Sequence, residues 1–303
     1  MIVSKTIRLG PALRRSWKQI LFAAGYPALA VLLYRTGVAE VAIPVAIPAM
    51  LGTALSILLG FRTNSAYDRW WEARKIWGAI VNDSRTFARQ ATSLFFLPGG
   101  SDERDMTAMQ REMVYRQIAW NYVLASSLRR QDPFRGIETT LALEESDALR
   151  SQDNPANAIL QTQAHRLRDA LRKGYLDSLR FLPIEGTLTR MCDNMGKCER
   201  IKNTIFPAHY GFLISLIVWL FVLLLPLGLV ESLGWITAPV AFMIAIMFWM
   251  IEAIGEALQD PFENFVSDTP MLALSRTIEI NLRQQLGETE LPDKIQPEDG
   301  VLM

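Results

Sequence analysis

The side chains able to do chemistry are few in this sequence and poorly spaced for it. Cys192, Cys198 and His209 offer metal-ligand atoms, but their spacing fits no zinc pattern and a fourth ligand is missing, so idle or buried thiols are the simpler reading. His165 has no acid near it in sequence and no nucleophile to serve. There is no phosphate-cradling glycine loop, no dinucleotide fingerprint and no His-Glu-x-x-His helix. These patterns point away from an enzyme and imply neither a metal nor a cofactor. What the sequence does space regularly is a pair of stripes. Gly52, Ser56 and Gly60 recur every fourth residue, the small-residue repeat that lets membrane helices approach closely. Thr53, Ile57 and Phe61 follow one residue on, rotated by about 100° around a helix. Close packing along the first stripe would turn the second toward a seam or an axis. With several copies around that axis, Thr53, Ile57 and Phe61 stack as mostly apolar rings, a constriction that gates by dewetting and passes ions when it widens. Asn64 and Asp68 continue the stripe with polar groups. The plainer alternative is an ordinary helix–helix contact. Glu252 and Glu256, one turn apart, also have two readings: salt bridges to basic residues of the cytoplasmic helices, or a charged ring tuning ion passage.

The elements that must position these residues follow from where the hydrophobicity lies. Half of the 303 residues are hydrophobic, and the mean hydropathy is +0.15, high for a chain with 20% charged residues. The 31 basic and 31 acidic residues cancel, so no global field favours nucleic acid, and two cysteines exclude a disulfide scaffold. A helix crosses a hydrocarbon core with roughly 20 apolar residues. Residues 210–230 and 235–251 carry no charge and are separated by a short turn, which predicts a transmembrane hairpin. Residues 41–61 are also uncharged, with Pro44 and Pro48 near the start, where proline is tolerated. The first apolar segment, 20–34, is shorter and bracketed by Lys18 and Arg35, whose side chains can snorkel to the interface. No small-residue cleavage site follows it, which argues against a signal peptide. Lys5, Arg8, Arg14, Arg15 and Lys18 precede this first pair, and Arg62, Arg69, Arg74 and Lys75 follow it. Lys197, Arg200 and Lys202 precede the second pair, and Arg276 and Arg283 follow it. By the positive-inside rule both termini and the long middle are cytoplasmic.

The domain organisation that results is a cytoplasmic N-terminus at 1–18, a first hairpin at 19–62, a helical cytoplasmic region at 63–204, a second hairpin at 205–258, a cytoplasmic segment at 259–286 and a disordered tail at 287–303. The helix of 41–61 does not stop at the membrane and extends to about 95, ended by the Leu97-Pro98-Gly99-Gly100-Ser101 loop. Further helices are predicted at 106–129, 141–151, from Asp153-Asn154-Pro155 to about Leu182, and at 184–202. The fold class is an all-α membrane protein, four transmembrane helices continuous with a helical cytoplasmic region. Four spans enclose little by themselves and hold no acidic or basic transport site, so an oligomer is the economical arrangement.

The run Leu59-Gly60-Phe61-Arg62-Thr63-Asn64-Ser65-Ala66-Tyr67-Asp68-Arg69-Trp70-Trp71-Glu72-Ala73-Arg74 resembles the signature of the bestrophin channels in their bacterial branch, as does Gly255-Glu256-Ala257-Leu258-Gln259-Asp260-Pro261-Phe262-Glu263. The four-span layout is similar too, so the resemblance covers most of the chain. It implies a homopentamer around one central pore, with a neck at Thr53, Ile57 and Phe61, the residues the stripe picks independently. Thr53 departs from the family's bulky apolar residue, and a hydroxyl ring wets more readily. The resemblance also implies a second, cytosolic constriction, for which Leu171, Leu176 and Leu179 are the candidates. Animal members bind calcium through an acidic clasp. Here only Asp260 and Asp268 match it, and Phe265 occupies another ligand position, a vestige too sparse for an ion that takes six or more oxygens.

The sequence thus favours a passive channel for monovalent ions in a bacterial inner membrane, leaning slightly to anions such as chloride. Its partners are its own copies, permeant ions and membrane lipid, with no nucleic acid. The positive ring edges of Phe61 favour anions, whereas Asp68 favours cations. The alternative is a membrane-anchored scaffold whose helical body binds a protein partner.

Overall fold

The computed structural model of the chain describes residues 17–37, 42–99, 102–137, 140–204, 208–298 and 300–302. Lys5, Arg8, Arg14 and Arg15, on which part of the topology expectation rests, and the connection at 38–41 lie outside them. In chain order the helices are α1 (Trp17–Thr36), α2 (Ala46–Ser93), α3 (Glu103–Leu128), α4 (Leu143–Arg150), α5 (Pro155–Arg172), α6 (Ser178–Asn203), α7 (Ala208–Leu233), a 3-10 turn (Gly234–Ile236), α8 (Thr237–Gln259) and α9 (Met271–Gln285). No strand occurs among the described residues; Glu298 and Val301 form an isolated bridge. The chain divides into two compact units, one of Ser4–Trp70 with Ile205–Asp260, the other of Trp71–Thr204 with Pro261–Met303. The long helix α2 belongs to both.

In the apolar unit, α1 packs on α8 and α7. Buried Ala23, Ala241 and Ala245 bring the helices close, and Leu55, Leu59, Val218, Phe221 and Phe248 fill the core. Proline placement explains the local geometry. Pro44 lies before α2, where Ile43 N donates to Leu227 O at 3.1 Å, and Pro48 sits in the first turn, whose amides have no helical partner in any case. Pro226 lies inside α7, and around it neighbouring segments supply donors: Tyr26 Oη to Leu223 O at 2.8 Å, besides Ile43 N. Gly228 has no room for a side chain, since a Cβ there would stand 2.5 Å from Pro48 Cγ. Gly234 has φ +55 and abuts Arg35, whose guanidinium lies 5.9 Å from the Trp235 ring centroid.

The second unit is a helical body around buried Trp77, Ile80, Phe87, Met113, Ile118 and Trp120. Asp102 caps α3 by accepting Arg104 N at 2.8 Å. Polar groups inside the body are bonded to one another: Gln117 Nε2 to Ser84 Oγ at 3.0 Å, Asn121 Nδ2 to Gln117 O at 2.7 Å and Gln163 Nε2 to Met113 O at 2.8 Å. Arg116 is buried and ties α3 to α4 through Glu145 at 2.6 Å, with Glu112 at 2.5 Å.

Two expectations are corrected here. The helix from Pro155 stops at Arg172 rather than near Leu182. Gly174 takes φ +76, Tyr175 N closes back on Ala170 O at 2.9 Å, and Asp177 caps α6 by accepting Arg180 N at 2.8 Å. Pro183 lies inside α6 instead of between helices. The start of the tail, expected to be disordered, is tied down: Glu288 accepts Tyr115 Oη and Arg283 Nε, both at 2.7 Å, and Arg111 lies 2.9 Å away.

Candidate functional site

Along the first half of α2 two faces separate cleanly. Leu55, Leu59, Arg62 and Ala66 are buried against the rest of their unit. Thr53, Ile57, Phe61, Asn64 and Asp68 are all exposed, Ile57 by 56% and Phe61 by 65%. The five residues picked by spacing therefore share one uncovered stripe, apolar above and polar toward Trp70. The small-residue stripe behaves differently from expectation. Gly52 alone packs tightly within the chain, against the Phe221 ring, where a Cβ would stand 2.8 Å away; Ser56 is exposed and Gly60 has nothing within 4 Å of a Cβ position. The face that packs inside the protomer is the Leu55–Leu59–Arg62–Ala66 face. Thr53 Oγ1 donates to Ala49 O at 2.9 Å, so its proton is spent on its own helix and only its lone pairs remain for water. Beside Gly52, Thr53 and Ser56 opens a groove of about 300 Å³ floored by Phe221, Leu225 and Phe248.

Three charged residues of this unit meet where α2, α7 and α8 come together. Arg62 lies 3.9 Å from Glu252 and 3.7 Å from Glu256, and Glu252 also accepts the Ser215 hydroxyl. Both acids thus face a base on α2 itself. Arg69 pairs with Asp260 at 3.6 Å. Sequence reasoning missed the role of Arg62, although its spacing from Leu55, Leu59 and Ala66 carried the signal.

The remaining candidates fall apart. In the helical body Leu176 is only 2% exposed, Leu171 is partly buried against the same core, and Leu179 is 81% exposed, so the three share no surface. Asp268 is buried; its carboxylate accepts Phe265 N at 3.0 Å. Burial pushes its pKa up, against the amides of Phe265, Glu263 and Asn264 and the charge of Arg129, which favour the anion. Neither Asp260 nor Asp268 gathers a ligand set, and among the described residues no three His, Cys, Asp or Glu side chains are placed to hold a metal. Cys198 is buried, which drives its thiol pKa up, and Cys192 is exposed.

Two helical stretches, Ala46–Ser93 and His209–Gln259, are long and apolar enough to cross a bilayer. Residues 6–284 match the family model described as bacterial/fungal bestrophin protein. The chain belongs to the bestrophin family. It is 33% identical over 248 residues to a voltage-dependent anion channel-forming protein of Mesorhizobium japonicum, covering 82% of this chain and 76% of that one. A protein of the same description from Escherichia coli is 33% identical over 250 residues, covering 82% and 79%. The crystal structure of a bacterial bestrophin homologue from Klebsiella pneumoniae superposes with a TM-score of 0.81 at 28% identity, covering 92% of this chain and all of that one. This bestrophin is accordingly a membrane protein of an ion-channel family rather than of an enzyme family, and the exposed stripe of α2 lies within the matched region.

Proposed function

We propose that this bestrophin is the subunit of a passive ion channel, a homopentamer in which α1, the first half of α2, α7 and α8 cross the bacterial inner membrane and both termini are cytoplasmic. Thr53, Ile57 and Phe61 form the neck, with Asn64 and Asp68 lining its cytosolic end. Residues 63–204 and 259–286 form the cytosolic vestibule, where Leu179 is the remaining candidate for a second constriction because it alone of the three leucines is solvent-exposed. The observation that carries this reading is the uncovered stripe on α2. A protomer that leaves Ile57 and Phe61 exposed in line with Thr53, Asn64 and Asp68 has built a surface suited neither to lipid nor to bulk water, and one that suits a narrow aqueous path between copies.

Monovalent ions pass by diffusion, losing part of their hydration at the apolar rings. The lean is to anions: the relatives from Mesorhizobium japonicum and Escherichia coli are named for anion channels, and the ring edges of Phe61 carry partial positive charge. The test is current from purified protein in planar bilayers under asymmetric chloride salt, with native mass measured alongside. A pentamer whose reversal potential moves toward the chloride equilibrium potential supports the reading. Movement toward the cation potential overturns the anion lean. A pentamer without current overturns the channel, and a monomer or dimer without current favours a membrane-anchored scaffold.

A further inference from the structure

Among the described residues of the apolar unit, Arg62 is the only buried charged side chain, at 4% exposure. Its surroundings leave it under-bonded. Nε and Nη1 have no hydrogen-bond partner among the described residues. The nearest acids, Glu252 Oε1 at 3.9 Å from Nη1 and Glu256 Oε1 at 3.7 Å from Nη2, stand beyond hydrogen-bond distance. A guanidinium taken from water is stabilised when its fork meets carboxylates at about 2.7–2.9 Å, and unfilled donors in a low-dielectric setting are costly. Gly255 on α8 and Gly211 on α7 lie close against the side chain, and a Cβ at either position would stand in van der Waals contact, 3.9 Å from Arg62 Cγ or 3.8 Å from Nη2. Glu252 is itself steadied by the Ser215 hydroxyl of α7. One stretched cation therefore ties α2 to α8, and through Glu252 to α7. Phe61 is its chain neighbour on the same rigid helix, so any rotation of α2 that closes or opens these pairs moves the Phe61 ring with it.

We propose that Arg62 is a positioning residue for permeation: its pull on Glu252 and Glu256 sets the rotation of α2 against α8, and so how far Phe61 reaches into the ion path. The inference rests on α2 lining that path. Loosening the pull lets α2 turn and withdraws Phe61.

The test uses the full-length protein in liposomes, with Glu256→Gln and Arg62→Lys. Glu256 is half-exposed, so Glu256→Gln folds with a melting temperature close to that of the parent; Arg62→Lys keeps the charge and loses the fork. Each is made in two backgrounds, one native for current and one carrying Phe61→Cys for the rate of modification by a neutral thiol reagent, which does not respond to the local field. The expected result for Glu256→Gln is a current raised, and a modification rate of the introduced thiol lowered, by about threefold to fivefold, the scale of one partly exposed ion pair. Arg62→Lys shifts both in the same direction. Unchanged modification rates in both variants, with a conducting and reactive parent, overturn the proposal alone and leave Arg62 an anchor. A parent without current, whose Phe61→Cys thiol is also unreactive, removes the pore reading and this proposal together. A current that rises while the reactivity of that thiol stays fixed assigns the effect to charge, and overturns the positioning role.

Discussion

Replacing Phe61 by alanine separates a pore residue from a packing residue, because the two roles predict opposite outcomes. A phenylalanine side chain presents about 150–250 Å². With 65% of Phe61 uncovered, roughly 100–160 Å² faces outward, and truncation to the alanine methyl, which keeps part of it, removes roughly 80 Å² of outward apolar surface, about 2 kcal/mol of unfavourable wetting per protomer at about 25 cal/mol per Å². Around the proposed ring of five the total reaches about 10 kcal/mol, and a lowering of the ion barrier by only about 1.4 kcal/mol gives a tenfold rise in flux. The expected outcome is a rise of at least about tenfold in chloride flux from liposomes loaded with a halide-sensitive dye, at a native mass unchanged from the parent. The protomer itself is affected little, since an exposed side chain contributes within about 0.5 kcal/mol to folding. Ile57→Ala acts in the same direction. If wild type conducts and both variants conduct no better, these side chains do not form the barrier, and the assignment of the α2 stripe to the neck is refuted. A large loss of melting temperature with no gain in flux would instead mark Phe61 as a packing residue.

Three further substitutions probe the frame around the stripe. Gly228→Ala puts a Cβ 2.5 Å from Pro48 Cγ and should lower stability by about 1–3 kcal/mol in detergent melts, whereas Gly25→Ala, with nothing within 4 Å, should be neutral or mildly stabilising. Arg116→Met leaves Glu145 without its buried partner, while Glu112 keeps Arg166, and should cost about 3 kcal/mol; replacing Arg116 and Glu145 together by apolar residues should recover much of it, and a denaturant titration of the purified protein reads both. Asp268 has its folded pKa raised, first by burial, so the native state holds a proton more tightly than the unfolded chain does. Its contribution is therefore present at low pH and is lost as pH rises from the unfolded value of about 3.9 through the raised folded value. Melting temperature against pH should fall relative to Asp268→Asn across that window, and parallel curves would dismiss the effect.

Much of this arrangement was legible because it is periodic. The four-residue spacing of Thr53, Ile57 and Phe61 is a statement about one helix face, and helix geometry alone puts those residues, with Asn64 and Asp68, on a shared stripe. Uncharged runs located the apolar helices for the same reason. Where tertiary burial overrides a local signal the sequence misleads. Pro183 reads as a boundary, yet Ile184 and Thr187 are buried and Thr187 Oγ1 and Gln90 Nε2 both use the Pro183 carbonyl, so packing keeps the proline inside α6. The true break, at Gly174 and the Asp177 cap, carries quieter residues. Of the three candidate leucines only Leu179 is exposed, because a leucine names no face until its helix is placed, and the start of α6 lies elsewhere than expected. Arg62 was hidden for a further reason. A base just past an apolar run looks like an interface anchor, and its surroundings include Gly211, Glu252 and Gly255, which reach it only through the fold.

The composition of the uncovered stripe bears on what covers it. A lipid-facing surface gains by being apolar throughout, yet this stripe holds Thr53, Asn64 and Asp68 in line with Met50, Ile57 and Phe61. A surface facing open water gains nothing from Ile57 and Phe61. A tight helix–helix seam calls for small residues, and those, Ser56 and Gly60, lie one step around the helix, also uncovered. In the proposed assembly the two uncovered stripes divide the work between them: Ser56 and Gly60 would let a neighbouring copy approach, and that approach would turn Thr53, Ile57 and Phe61 toward the axis. On this reading Gly60→Leu, harmless to the protomer because nothing lies within 4 Å of a Cβ there, should weaken the pentamer. A native-mass measurement that finds the assembly intact would place the seam elsewhere.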